Sequence, residues 1–479
     1  MKLNRLIYFF PLIVFTSCEP DIDEINIERG NADFSRVVAV GNSLVAGFQN
    51  NALSAEGQEF SLPNIVSGQL QMVGGGNFSQ PLLTGMAAQK GAGVDPTLFA
   101  NGLLLPELSL APSTDCLGES SLAPQILENP YPSTSFFNLV EAGPFNNVAV
   151  PGAKVTNLNQ PGYGSQLGNP YFARFAATAN ETMLEQAAEI QASFFMLWIG
   201  NNDVLGYATS GGEEGNDVIT DPGTFQSAYR EALDSLSSNG ANGVIANIPE
   251  ITSIPFFTTI PTMLPISKDQ ADQLNDINAY GGYNAGINAA LDNQIITKEE
   301  ADLRKIVFAV GENPLVVMDP ALTDLTSLNP ALINMRQLKE GELLTLRTSG
   351  DSLKCGGWGT SKPIPGNFVL SNDEIQKIND AIESYNTFIE QQANNRNLAF
   401  VDANELLDQL ASVGLARSGI NFSSELVSGG AFSFDGVHPS SRGYAILANE
   451  FIDAINATYN AKIPKVNIND FPTFKVEGS

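Results

Sequence analysis

Short apolar runs that stop at small-residue turns constrain this chain most. Arg36 to Val40 (RVVAV), Asn147 to Val150 (NVAV), Phe194 to Ile199 (FFMLWI), Gly243 to Ile248 (GVIANI) and Leu398 to Val401 are each short and rich in apolar residues. Such runs suit strands buried on both faces. Between and after them lie stretches with helical spacing: Glu181 to Ala192, Thr224 to Leu236, Asp373 to Asn394 and Ser440 to Asn460. Strand and helix in alternation predict an α/β fold with a central parallel sheet.

The alternation breaks twice. Residues 49–140 are loop-rich, with Gly74-Gly75-Gly76, many prolines and an apolar stretch from Leu103 to Leu110. The triple glycine lacks the strand and Lys-Ser/Thr context of a phosphate loop. From 250 to 366 the pattern is again irregular. Ile254 to Ile266 (IPFFTTIPTMLPI) is apolar yet proline-broken, fitting neither a long strand nor a good helix. Helices are expected over Asp269 to Asn293 and Thr297 to Lys305, and strands over Ile306 to Val310 and Leu315 to Met318 around a Gly-Glu-Asn-Pro turn. Both regions are read as insertions in one domain spanning 35–462, with 463–479 as a C-terminal tail.

The N-terminus reads as a targeting segment. Lys2 and Arg5 form a basic start, Leu6 to Phe15 an apolar core too short to span a bilayer, and Phe15-Thr16-Ser17 lead to Cys18. This resembles a bacterial lipoprotein signal over 1–17 with Cys18 lipidated, although Phe15 stands where a smaller aliphatic residue is usual. The alternative is a plain secretory peptide with an incidental cysteine. Residues 18–34 are an acidic tether, similar to the surface-export signals of Bacteroidota lipoproteins. A cell-envelope location follows, the outer membrane first, with the membrane reached through the lipid anchor. Cys116 and Cys355 remain; outside the cytoplasm they could pair, but the sequence does not say whether they meet. The formal charge of −28 argues against nucleic-acid partners. No CxxC, HExxH or histidine cluster is present, so no metal and no cofactor is implied.

His438 is the only histidine among 479 residues. It lies three residues after Asp435, in a Gly/Pro loop that opens the last helix. An aspartate at that spacing can hold one ring nitrogen and leave the other for a nucleophile. A loop histidine beside a capping Asp435 is the plainer alternative. Ser43 follows the first strand, where open α/β sheets put nucleophiles, or it caps a helix. Gly152 ends the second run, where its N–H can face a ligand. Asn202, in Gly200-Asn201-Asn202-Asp203, can offer an amide hydrogen to an oxyanion, or simply make a turn.

Taken in order, GNSL, the glycine after NVAVP, GNND and DGVHP resemble the four blocks of the SGNH hydrolases, the GDSL esterase/lipase family. The resemblance implies a three-layer α/β/α sandwich, flavodoxin-like, carrying the two insertions. It implies Ser43 as nucleophile, His438 as base, Asp435 as the acid that orients it, and an oxyanion hole of Ser43, Gly152 and Asn202. The family's first block usually has Asp where this chain has Asn42, and the stretch from Ser43 to Gly152 is longer than in a compact member. The implied activity is hydrolysis of carboxylic esters. The apolar stretches 103–110 and 254–266 favour a small-molecule or lipid acyl ester; a carbohydrate acetyl ester and a non-catalytic binding lipoprotein are the alternatives.

Overall fold

A computed structural model describes residues 27–212 and 217–474. Cys18, the signal segment and most of the acidic tether lie outside the described residues. Four parallel strands form the central sheet: β1 (Val37–Gly41), β2 (Phe194–Trp198), β3 (Asn242–Ala246) and β4 (Ala399–Val401), side by side in that order. The register sets Val37 against Phe194, Phe194 against Asn242, and Val244 against Ala399. The NVAV run makes only an isolated parallel bridge, Asn147 to Ala39, on the far side of β1. It is nonetheless held there, since Val148 N donates to Ala39 O (2.9 Å) and Val150 N to Gly41 O (3.0 Å). Counting that segment, the chain order across the sheet is 2-1-3-4-5. The direction of winding reverses beside β1, where ligands bind in open α/β sheets.

Every residue of β1 and β2 is buried, so both faces of the sheet are covered there. The helices that position the site are α1 (Ser43–Ala46), α2 (Leu62–Met72), α3 (Met183–Glu189), α4 (Asn202–Thr209), α5 (Pro222–Leu236), α6 (Pro255–Thr258), α7 (Asn372–Arg396), α8 (Ala403–Ser412) and α9 (Ser441–Tyr459). α9 packs against α2 and β4, while α5 packs with α3 and α7. Local sequence explains their ends. Ser371 and Glu374 close a capping box at the start of α7, and Asn397 ends it in the left-handed region. Ser440 Oγ accepts from Gly443 N at the start of α9.

The principal hydrophobic core runs from Ala32 to Phe257 and resumes from Leu370 to Ile468. Residues 49–140 feed Leu53, Val66, Leu70, Leu104 and Phe136 into it. Beyond Ile260 the chain builds two small cores of its own, one around Ile287 and Val316, the other around Leu315 and Val317. The two irregular regions meet at a disulfide. Cys116 lies between the hairpin strands Ser109–Thr114 and Ser120–Gln125, and it is bonded to Cys355, with Cα atoms 6.4 Å apart. Lys354 pairs with Asp115 (2.7 Å), and Cys116 N donates to Asp351 Oδ1 (3.1 Å).

Besides the NVAV run, expected as a strand, two further sequence expectations fail here. No strand forms over Ile306 to Val310; the ladder uses Gly311–Pro314, the expected turn, paired with Met263–Ile266. Asparagine side chains claim the expected strand's backbone instead: Asn284 accepts from Ile306 N, Asn275 from Phe308 N, and Asn313 from Ala309 N. The helix expected over Asp269 to Asn293 is split into Lys268–Leu274 and Tyr280–Asp292. Asp276 breaks it, because its Oδ1 accepts from Asn278 N and makes a turn that competes with the helix.

Candidate active site

Ser43 opens α1 at the C-terminal end of β1, and its helix cap is the preceding residue. Asn42 Oδ1 accepts from Leu44 N (3.0 Å), so Ser43 is relieved of capping and its Oγ is available. The first N–H groups of a helix have no intrahelical acceptor. That of Leu44 goes to Asn42, which leaves that of Ser43 at the strand end.

His438 Nε2 lies 2.8 Å from Ser43 Oγ, and His438 Nδ1 lies 3.0 Å from Asp435 Oδ2. The carboxylate is fully engaged. Its Oδ1 accepts from Val437 N and His438 N, both at 2.9 Å, and its Oδ2 also accepts from Asn51 N at 2.8 Å. Burial pushes the Asp435 carboxyl up, but the adjacent imidazole and these donated hydrogen bonds outweigh it and hold the group at about 2. Asp435 is thus an anion at neutral pH. It favours the tautomer with a proton on Nδ1, leaving Nε2 to accept from Ser43. Phe48 walls the imidazole, the ring centroids 4.7 Å apart. Tyr444 Oη, on α9, donates to Phe48 O (2.7 Å) and locks that wall to the helix following the histidine loop.

Gly152 has φ +82°, a left-handed conformation that glycine adopts without strain. Its N–H has no partner among the described residues. Asn202 begins α4 and donates one Nδ2 hydrogen to Ala153 O (2.9 Å), which leaves the second amide hydrogen uncommitted. Asn42 Nδ2 donates to Asn201 Oδ1 (3.2 Å). These two bonds tie the ends of β1, of the NVAV segment and of β2 into one cluster around Ser43. The amide at position 42 supplies a donor that the aspartate usual in the first block of the resembled family would lack when ionised.

Four contributors carry little signal in the sequence. Asp203 is fully buried, and its Oδ2 accepts from Val155 N (2.9 Å), bracing the segment that carries Gly152. Burial dominates its titration and raises it to about 6. Its position in GNND was the available clue. Phe256 N donates to Gly436 O (2.9 Å), so α6 supports the histidine loop. Asn50 and Asn51 support that loop from the other side, and an Asn-Asn pair is a turn signal.

No curated protein matches the chain. A family model described as GDSL-like Lipase/Acylhydrolase matches residues 325–451. The matched segment carries Asp435 and His438, while Ser43, Gly152 and Asn202 lie outside it. The match supports kinship with the SGNH hydrolases and suggests an acylhydrolase, esterase or lipase as the general activity.

Proposed function

We propose that the protein is an extracytoplasmic serine ester hydrolase acting on acyl esters, built on a three-layer α/β/α sandwich with two insertions. The observation that carries this reading is the continuous chain of contacts from Ser43 Oγ through His438 to Asp435. Ser43 Oγ attacks the ester carbonyl carbon while His438 Nε2 takes its proton; Asp435 steadies the resulting imidazolium. The oxyanion collects hydrogen bonds from Ser43 N, Gly152 N and the free Asn202 amide hydrogen. His438 then protonates the departing alkoxide, and water, deprotonated by the same imidazole, releases the acid from Ser43.

The reading leans toward an acyl chain because an apolar cavity of about 90 Å³ lies next to the site, although neither Ser43 nor His438 lines it. It is lined by Leu44, Trp198, Ile254, Leu407, Val437 and Pro439 among others, so its walls include the neighbours of both Ser43 and His438. The Cys116–Cys355 disulfide supports a compartment outside the reducing cytoplasm. Lipidation at Cys18 and tethering to the outer membrane complete the reading; no helix among the described residues is long and apolar enough to cross a membrane.

The test is turnover of p-nitrophenyl esters from acetate to palmitate by the chain lacking residues 1–18. Rates that rise toward medium or long chains support acyl-ester hydrolysis. Turnover of acetate alone would shift the assignment to carbohydrate deacetylation, and none at all would favour a binding protein.

A further inference from the structure

Asp435 Oδ1 is pinned by N–H groups of its own loop, at Val437 and His438. Oδ2, the oxygen facing the imidazole, has one further donor among the described residues, and it comes from far away in sequence: Asn51 N at 2.8 Å. The delivery of that N–H is specific. Gln49 and Ala52 exchange both backbone hydrogen bonds (3.0 and 3.1 Å), closing a two-residue turn. Asn50 and Asn51, its two central residues, have φ +54° and +63°, the positive pair that a type I′ turn demands. The turn grips the histidine loop at two more points, since Asn50 N donates to Ser433 Oγ (3.0 Å) and Asn50 Oδ1 accepts from Phe434 N (3.1 Å).

We propose that the Asn50–Asn51 turn is a positioning element for the Asp435–His438 pair, its Asn51 N–H fixing the rotation of the carboxylate so that Oδ2 meets His438 Nδ1. This rests on the serine-hydrolase reading. With Oδ1 held by the loop and Oδ2 by the turn, the carboxylate plane is set from both ends, and the imidazole inherits that orientation toward Ser43. A backbone that leaves the left-handed region turns the Asn51 N–H away. Misplacement of the pair then slows the chemical step without touching substrate binding.

The experiment uses the full chain and four forms: wild type, Asn51→Val, Asn51→Gly and Asn397→Val. Valine resists positive φ, whereas glycine keeps both the N–H and the turn. Asn397 is the matched control, left-handed at φ +53° at the end of α7 and beside the N-terminal edge of the sheet, away from the site. Two readouts are taken: kcat and KM on the best ester, and the Nδ1–H resonance of the single histidine in ¹⁵N-histidine-labelled protein. Asn51→Val should lower kcat about 10–100-fold at unchanged KM and displace or broaden the Nδ1–H signal. Asn51→Gly should restore most of both, and Asn397→Val should lower the melting temperature while moving neither. If Asn51→Val does not fold, Asn51→Ala takes its place with the same direction expected. An Nδ1–H signal and kcat that survive the change at Asn51, or that fall equally in Asn397→Val, would overturn the proposal. Absence of ester turnover in the wild type would instead defeat the hydrolase reading, with the resonance still deciding whether the turn orients the pair.

Discussion

At the residue scale, an alcohol is a poor nucleophile until a base removes its proton, and in the proposed mechanism His438 Nε2, 2.8 Å from Ser43 Oγ, is that base. Ser43→Ala should lower ester turnover about 10⁴–10⁶-fold with the melting curve unchanged. Asn202→Leu, which removes the free amide hydrogen, should cost about 10²–10³-fold in kcat, read on the same ester. The two buried carboxyls give opposite pH signatures. Asp435 titrates at about 2 in the fold against 3.8 as a free group, so its stabilisation is present above about pH 4 and is lost as pH falls toward 2. Asp203 is raised to about 6, so the fold loses stability as pH rises from about 4 to 6, while the unfolded carboxyl ionises and the buried one does not. Denaturant melts of Asp203→Asn should lack that loss between pH 4 and 6; a slope identical to wild type would refute the assignment. The residues proposed for the chemistry were legible in the sequence because each stands at a strand end or within a few positions of its partner. Asn51 and Phe256 were not, because their roles exist only once distant loops fold onto residues 433–438.

At the element scale, the histidine loop is held between a turn and a short helix. Gly436, at its apex, has φ +72°, and a Cβ there would lie 3.0 Å from Phe256 N and 3.1 Å from Leu346 Cδ2. Gly436→Ala should therefore cost about 1–2 kcal/mol in stability and reduce turnover by displacing His438; chemical denaturation together with kcat checks both. The strands of the sheet were readable because buried apolar runs need no knowledge of their neighbours. Ile306 to Val310 has the same apolar character, yet asparagine side chains take its backbone hydrogen bonds, Asn275 and Asn284 from a distant part of the chain and Asn313 from the adjoining turn. The two distant partners leave no mark on the run itself. The NVAV segment, expected as a buried strand, forms only a bridge, held on one side by β1.

At the scale of the whole molecule, the two irregular regions are clasped together through Cys116 and Cys355, whose pairing the sequence left open. Replacing both cysteines by serine should lower stability by about 2–5 kcal/mol, because the bridge closes a long loop in the unfolded chain. Denaturant midpoints with and without reductant measure this. The outcome of the proposed anchoring is equally direct: Cys18→Ser should move the protein from the membrane fraction to the soluble fraction. A central parallel sheet followed from strand and helix alternation, but the order of its strands did not, because alternation leaves open which strands lie side by side. The division of labour between the two regions did not, since residues 49–140 join the principal core while those beyond Ile260 build separate ones, and apolar content does not tell these apart.

The central claim is that Ser43 carries the acyl group, activated by His438. Intact-mass and peptide mapping after treatment with a fluorophosphonate tests it most directly. One adduct, on the peptide containing Ser43, absent in Ser43→Ala and formed far more slowly in His438→Ala, is the predicted result. An adduct on another residue, or labelling that is indifferent to His438, would contradict it.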